Sequence, residues 1–227
     1  MQRYIKDFLK KITNQSPNAV RGLERHNIFR HCFEFSAKNS VNGDILEFGC
    51  YQGDSSKRII RSAEKVKKFN SSWNPDFWIF DSFEGLPNLT SPYDTHPSFT
   101  PFSKGEYAAN FDNVRQNILT TDINPNKLHM IPGFFEDSLQ NLSHSPTMIS
   151  AVHIDVDLYS SCKTVLEFLT DKLQDGTLLI FDDYYCYRGN PNYGVPKAIN
   201  EWSDNRNIML SEYCNYSWAG KVFIVHA

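Results

Sequence analysis

The stretch Asp44-Ile45-Leu46-Glu47-Phe48-Gly49-Cys50-Tyr51-Gln52-Gly53-Asp54-Ser55-Ser56 decides the fold. Its first half, DILEF at 44–48, is a short apolar run that stops at a glycine, the pattern of a buried strand. After Gly53 the spacing changes, and Ser55–Val66 predicts a helix. The two glycines let the chain turn tightly and bring backbone close to a ligand. Further strands are predicted at Phe77–Phe80, Leu128–Ile131, Ala151–Val156 and Gly176–Phe181, and further helices at Phe111–Leu119, Cys162–Leu173 and Pro196–Asp204. Such alternation, with nearly continuous apolar strands, implies an α/β fold whose parallel sheet is covered by helices on both faces. Two closing strands, Ile208–Tyr213 and Lys221–Val225, leave no room for a crossover helix and so predict an antiparallel hairpin.

Upstream, Leu23–Lys38 reads as a helix with Leu23, Phe29, Phe33 and Ala37 on one side. The first twelve residues carry Tyr4, Ile5, Phe8, Leu9 and Ile12 at helical spacing. Together these give a helical N-terminal cap over residues 1–40, packed on the domain rather than on a membrane surface. The N-terminus has no continuous apolar segment of a secretory signal. No run approaches the roughly 20 apolar residues of a membrane span. With 227 residues and no repeat or linker, residues 1–227 form a single domain. The irregular stretch 88–105, punctuated by Pro92, Pro97 and Pro101, is expected to be a lid over a binding site.

Composition narrows the function. Lys and Arg number 23 against 26 Asp and Glu, a net charge of −3, so no global positive field exists to hold a nucleic-acid backbone. The five cysteines include no CxxC pair and read as small thiols in a reducing, cytoplasmic compartment. The N-x-[ST] triplets, in an Asn- and Ser-rich chain, read as coincidence.

In an open α/β sheet, ligands bind beyond the carboxyl ends of the strands. The first strand ends at Glu47 and the glycine turn, whose spacing is not GxGxxG and so speaks against a pyrophosphate. An acid just before that turn suits an amino group. The second strand ends in Asp81, the usual position for an acid that holds ribose hydroxyls. Glycine turn and acid together favour a nucleoside-bearing ligand without phosphates. Two later strands run into His153-Ile154-Asp155-Val156-Asp157 and Phe181-Asp182-Asp183. Period-two spacing puts Asp155 and Asp157 on one face of a strand. If the strands are neighbours they lie about 4.8 Å apart, which gathers four carboxylates in one small space. Such crowding raises pKa values or demands a cation, and oxygen-only ligands point to a hard one, Mg²⁺ or Ca²⁺. His153 reads as a core histidine. Tyr184, Tyr185 and Tyr187 read equally as an acceptor pocket or as plain packing.

The blocks LEFGCYQGDSS (46–56), DSFEGLP (81–87), GFFEDSL (133–139), HIDVDLYSSCKTVLEFL (153–169) and IFDDY (180–184) resemble the macrocin O-methyltransferase family. That resemblance implies a Rossmann-like class I methyltransferase fold and a sugar O-methyltransferase that uses S-adenosylmethionine and Mg²⁺. It assigns Glu47, Gly49, Tyr51, Gly53 and Ser55 to the methionine moiety, and Asp81, with Ser82 beside it, to the ribose hydroxyls. Phe135 and Glu136 would border adenine. Asp155, Asp182 and Asp183 match the metal ligands, Asp155 also bordering the cofactor, and Asp157 matches the general base. The implied acceptor is a small-molecule hydroxyl, foremost a sugar of a glycosylated natural product, and family members are usually homodimers. Catechol enzymes of the same layout typically carry Asn and Lys where this chain has Asp183 and Leu158. The block at 133–140 departs from the family's GxFxDTLP in having Ser138 and Gln140. Two alternatives stand beside this reading: an O-methyltransferase for a catechol or other non-sugar hydroxyl, and a catalytically idle nucleoside-binding module.

Overall fold

In the computed structural model, residues 17–98 and 102–226 are described. The expected helix within the first twelve residues lies outside them. Elements follow in the order α1 (Pro17–Lys38), β1 (Asp44–Phe48), α2 (Asp54–Lys67), β2 (Phe77–Asp81), α3 (Phe111–Ile118), β3 (Leu128–Pro132), α4 (Phe135–Ser138), β4 (Ile149–Ile154), α5 (Tyr159–Leu169), β5 (Leu178–Phe181), α6 (Gly194–Arg206), β6 (Met209–Tyr216) and β7 (Gly220–His226).

All seven expected strands join one sheet in the order β3-β2-β1-β4-β5-β7-β6. β1 runs parallel to β2 and β4, β2 to β3, and β4 to β5; β7 is antiparallel to both β5 and β6. The strand order reverses between β1 and β4, so the crevice at their carboxyl ends is the switch point where such folds bind ligands.

Side-chain alternation explains the layering. In β1 and β5, Ile45, Leu178 and Ile180 point to one face, where Phe29, Phe33, Ile59 and Ile60 of α1 and α2 cover them. Leu46, Phe48, Leu179 and Phe181 point to the other, against Val165, Leu169 and Trp202 of α5 and α6. Strands buried on both faces read as unbroken apolar runs, which is why ISAVHI at 149–154 carries no polar alternation apart from its buried Ser150 and His153. Full burial of a side chain as large as Trp73 or Trp202 contributes roughly 3 kcal/mol each.

Two expectations change. Phe135–Ser138 forms a one-turn helix that its brief, polar sequence did not announce. β4 ends at Ile154 rather than Val156, because Asp157 turns into the left-handed region (φ 61°). Asp155 and Asp157 therefore do not share a strand face; they lie on the loop that follows β4.

That loop is held where β1 ends. The Asp155 amide donates to the Phe48 carbonyl (2.9 Å), and Gly49 N–H donates to the Phe80 carbonyl (2.9 Å). Gly49 has φ 82°, and a Cβ there would stand 1.9 Å from the Asp155 carbonyl oxygen. Gly49→Ala is expected to cost at least about 3 kcal/mol in denaturant unfolding. Gly105→Ala, at similar φ but with nothing within 4 Å of its Cβ, is the matched control and should cost about 1 kcal/mol.

Candidate active site

A cavity of about 530 Å³ opens at the switch point. Its floor is the β1–α2 turn, with Gly49, Cys50, Tyr51 and Ser55. One wall carries Asp81 and Ser82 from the end of β2 and Phe135 and Glu136 from α4; the opposite wall carries Asp155, Asp157 and Asp183. Residues far apart in sequence thus face a single space because every parallel strand delivers its carboxyl end to the same edge.

Asp81 is 8% exposed and anchors this architecture. One carboxylate oxygen accepts the amides of Cys50 (2.7 Å) and Tyr51 (3.0 Å), and the other accepts that of Phe83 (2.7 Å). A carboxylate offers about four acceptor positions, so Asp81 both ties the glycine turn to β2 and retains capacity for a hydroxyl donor. Ser82 spends its hydroxyl on the Gly85 carbonyl (2.8 Å). Phe135 packs edge-on against Phe48, centroids 5.7 Å apart, which fixes it beside the cavity.

Three predicted site residues do not line the cavity. Glu47 lies beneath the floor, bonded by the Ser56 hydroxyl and 3.1 Å from His153 Nδ1. Gly53 caps α2 at φ 82°, packed against Val114 and Ile118 of α3. Asp182 lies behind the acidic wall, 1% exposed.

The acids form two overlapping groups whose candidate ligand atoms lie within 4.8 Å of one another: Asp155, Asp157 and Asp183, and His153, Asp155 and Asp182. The first set is oxygen-only and fits a hard divalent cation. His153 Nε2 is buried without a hydrogen-bond partner among the described residues, so this histidine borders the acidic wall rather than being wholly absorbed in the core. The negative potential is felt nearby. The Tyr107 hydroxyl is pushed up by burial and then by Asp157, Glu106, Asp183 and Asp155, and the Cys50 thiol by burial and then by Asp81 and Glu47.

Arg25 was not anticipated. Its Nε donates to Asp182 Oδ1 (2.8 Å), and its terminal NH2 contacts Asp182 Oδ2 and donates to Asp155 Oδ2 (3.1 Å). A signal was present: Arg25, Phe29 and Phe33 recur at intervals of four, so a charged residue shares the face of α1 that meets the core. Asp94, also unforeseen, is fully buried in the 88–105 segment and accepts the Ser160 amide and hydroxyl at the start of α5 (both 3.0 Å). Tyr187 OH donates to the Asp94 carbonyl (2.9 Å). No alternation marks either contact in sequence.

Solved structures with this fold include O-methyltransferases. NovP aligns with 88% of this chain and 79% of its own at a TM-score of 0.72 and 22% identity. The calicheamicin methyltransferase CalS11 aligns with 95% of this chain and 85% of its own at 0.67 and 17%. A sequence profile of the macrocin-O-methyltransferase (TylF) family matches residues 13–212, and the chain belongs to that family. Among curated relatives, the 8-demethyl-8-(2,3-dimethoxy-alpha-L-rhamnosyl)-tetracenomycin-C 4'-O-methyltransferase of Streptomyces olivaceus is 30% identical over 194 residues, 79% of this chain and 70% of the relative. The mycinamicin III 3''-O-methyltransferase of Micromonospora griseorubida is 27% identical over 195 residues, 82% of this chain and 70% of the relative. The protein is an O-methyltransferase.

Asp81→Ala leaves three backbone amides without their acceptor and is expected to lower unfolding stability by at least about 2 kcal/mol. Ser82→Ala, measured in the same chemical denaturation, should stay within about 1 kcal/mol of wild type.

Proposed function

We propose that this enzyme transfers the methyl group of S-adenosylmethionine to a sugar hydroxyl of a glycosylated small molecule, assisted by Mg²⁺. The observation that carries the reading is the shared cavity: a nucleoside-type wall and a carboxylate wall meet over one glycine turn. Asp81 accepts the ribose hydroxyls, Phe135 and Glu136 border adenine, and Gly49, Tyr51 and Ser55 flank the methionine arm. Glu47 and Gly53 shape the turn from below. The donor's sulfonium is cationic, and the acidic wall is electrostatically suited to its approach.

Asp155, Asp182 and Asp183 would hold the cation, with the Asp157 carboxylate beside them. When bound, it supplies positioning of the acceptor hydroxyl and a lowered hydroxyl pKa. Asp157 takes the proton; its left-handed turn sets its carboxylate beside Asp155 and Asp183. An aspartate of reference pKa about 3.9 is a weak base, so this role depends on an acidified acceptor. Leu86, Pro87 and Phe102 border the cavity and, with residues 88–98 pinned by Asp94, exclude water from the site.

Two features support a glycoside acceptor. A relative whose name carries a rhamnosyl group spans 79% of the chain. In addition, Tyr51, Tyr107 and Trp218, 41%, 49% and 66% exposed, all face the cavity. Tyr51 and Tyr107 meet edge to face at 5.7 Å. Flat aromatic faces with polar tips suit the C–H face and hydroxyl edge of a sugar ring. We place the enzyme in the cytoplasm, in keeping with cysteines that are all free thiols.

A methyl-transfer assay across a panel of deoxysugar glycosides should show turnover that EDTA abolishes and Mg²⁺ restores; turnover indifferent to EDTA would remove the cation. With an accepted glycoside, Asp157→Asn should lower kcat by about 100-fold or more while KM stays within a few-fold. An unchanged kcat would remove Asp157 as the base.

A further inference from the structure

We propose that Arg25 is a displaceable counter-ion that competes with the divalent cation for Asp155 and Asp182. This rests on the cation reading above and concerns how that site is guarded. The Arg25 guanidinium bridges the two carboxylates through three contacts, with its side chain 16% exposed and that of Asp182 1% exposed. Asp182 Oδ1 also accepts the Tyr216 hydroxyl (3.2 Å). Each oxygen of Asp182 is thereby committed, and the Asp155 oxygen nearest it as well.

A planar guanidinium with a fixed fork of donors spans two carboxylates as a metal ion would, but with one charge instead of two. A divalent cation bridging both residues would approach the oxygens that Arg25 already engages. It would also lie beside a positive group in a water-poor cleft, where like charges repel strongly. Each occupant therefore weakens the other's hold on these oxygens. Arg25 keeps the acids together and their charge balanced until the cation displaces it.

The placement of α1 makes such displacement local. Phe29 seats the helix edge-on against His153 at 5.0 Å, and Phe33 against Trp73 at 5.8 Å, both on the carboxyl-terminal side of Arg25. Arg25 can swing away while these aromatic contacts hold the remainder of α1. Cation loading then loosens the first half of α1, the element that covers the cavity beside Asp155.

Mn²⁺ titrations by calorimetry, with wild type, Arg25→Gln and Asp155→Asn, test this without turnover. Arg25→Gln should bind Mn²⁺ about tenfold tighter or more than wild type. In wild type, saturating Mn²⁺ should also reduce hydrogen-exchange protection of amides 24–28 but not of 29–38. The second readout needs no variant, and it separates displacement from the general gain in negative charge that loss of Arg25 brings. Equal or weaker Mn²⁺ affinity in a folded Arg25→Gln protein, or unchanged protection in wild type, overturns the proposal. Failure of both proteins to bind Mn²⁺, or binding that Asp155→Asn leaves intact, removes the cation site itself and the competition with it.

Discussion

The pinch between the ends of β1 and β4 governs everything else in this molecule. There the Asp155 amide reaches the Phe48 carbonyl, and the Asp155 carbonyl oxygen occupies the space a side chain at position 49 would need. Closing that gap puts the glycine turn and the acidic loop within one cavity. Asp81 completes the clamp by drawing the Cys50 and Tyr51 amides toward β2. The floor is therefore built from backbone groups whose positions two parallel strands dictate.

Against that floor the sheet concentrates negative charge. Asp155 and Asp182 follow neighbouring strands in register, since Ile154 pairs with Phe181, so their carboxylates are adjacent by construction. Four acids at two strand ends cannot be desolvated together without cationic compensation. Arg25 contributes part of it. The same requirement suits both proposed ligands, a hard cation and a sulfonium, so charge balance is the feature they share.

Sheet, layers and strand ends were legible because they rest on local signals. Apolar runs such as ISAVHI and LLIF stop at acids or glycines, and the hairpin followed from a gap too short for a helix. Asp155, Asp157, Asp183 and Asp81 could be found because strand ends converge at one edge. The account of Asp157 was legible only in outcome: its place beside Asp155 comes from a left-handed turn, not from strand alternation. Glu47 shows a placement that no local pattern announces. It occupies a ligand-facing position in sequence, yet the buried Ser56 and His153 partners hold it under the floor. Arg25 and Asp94 act across 130 and 66 residues of chain, and separations of that size leave no local pattern beyond an arginine on an apolar helix face.

The central claim is that donor and cation meet at this switch point. Proton NMR of the S-methyl resonance of S-adenosylmethionine, in exchange with the protein, reads it directly when Mn²⁺ is added. Strong paramagnetic broadening of that resonance is expected, reversed by excess Mg²⁺ and absent in Asp155→Asn. A methyl signal that still shows cofactor binding but is not broadened by Mn²⁺ would contradict it.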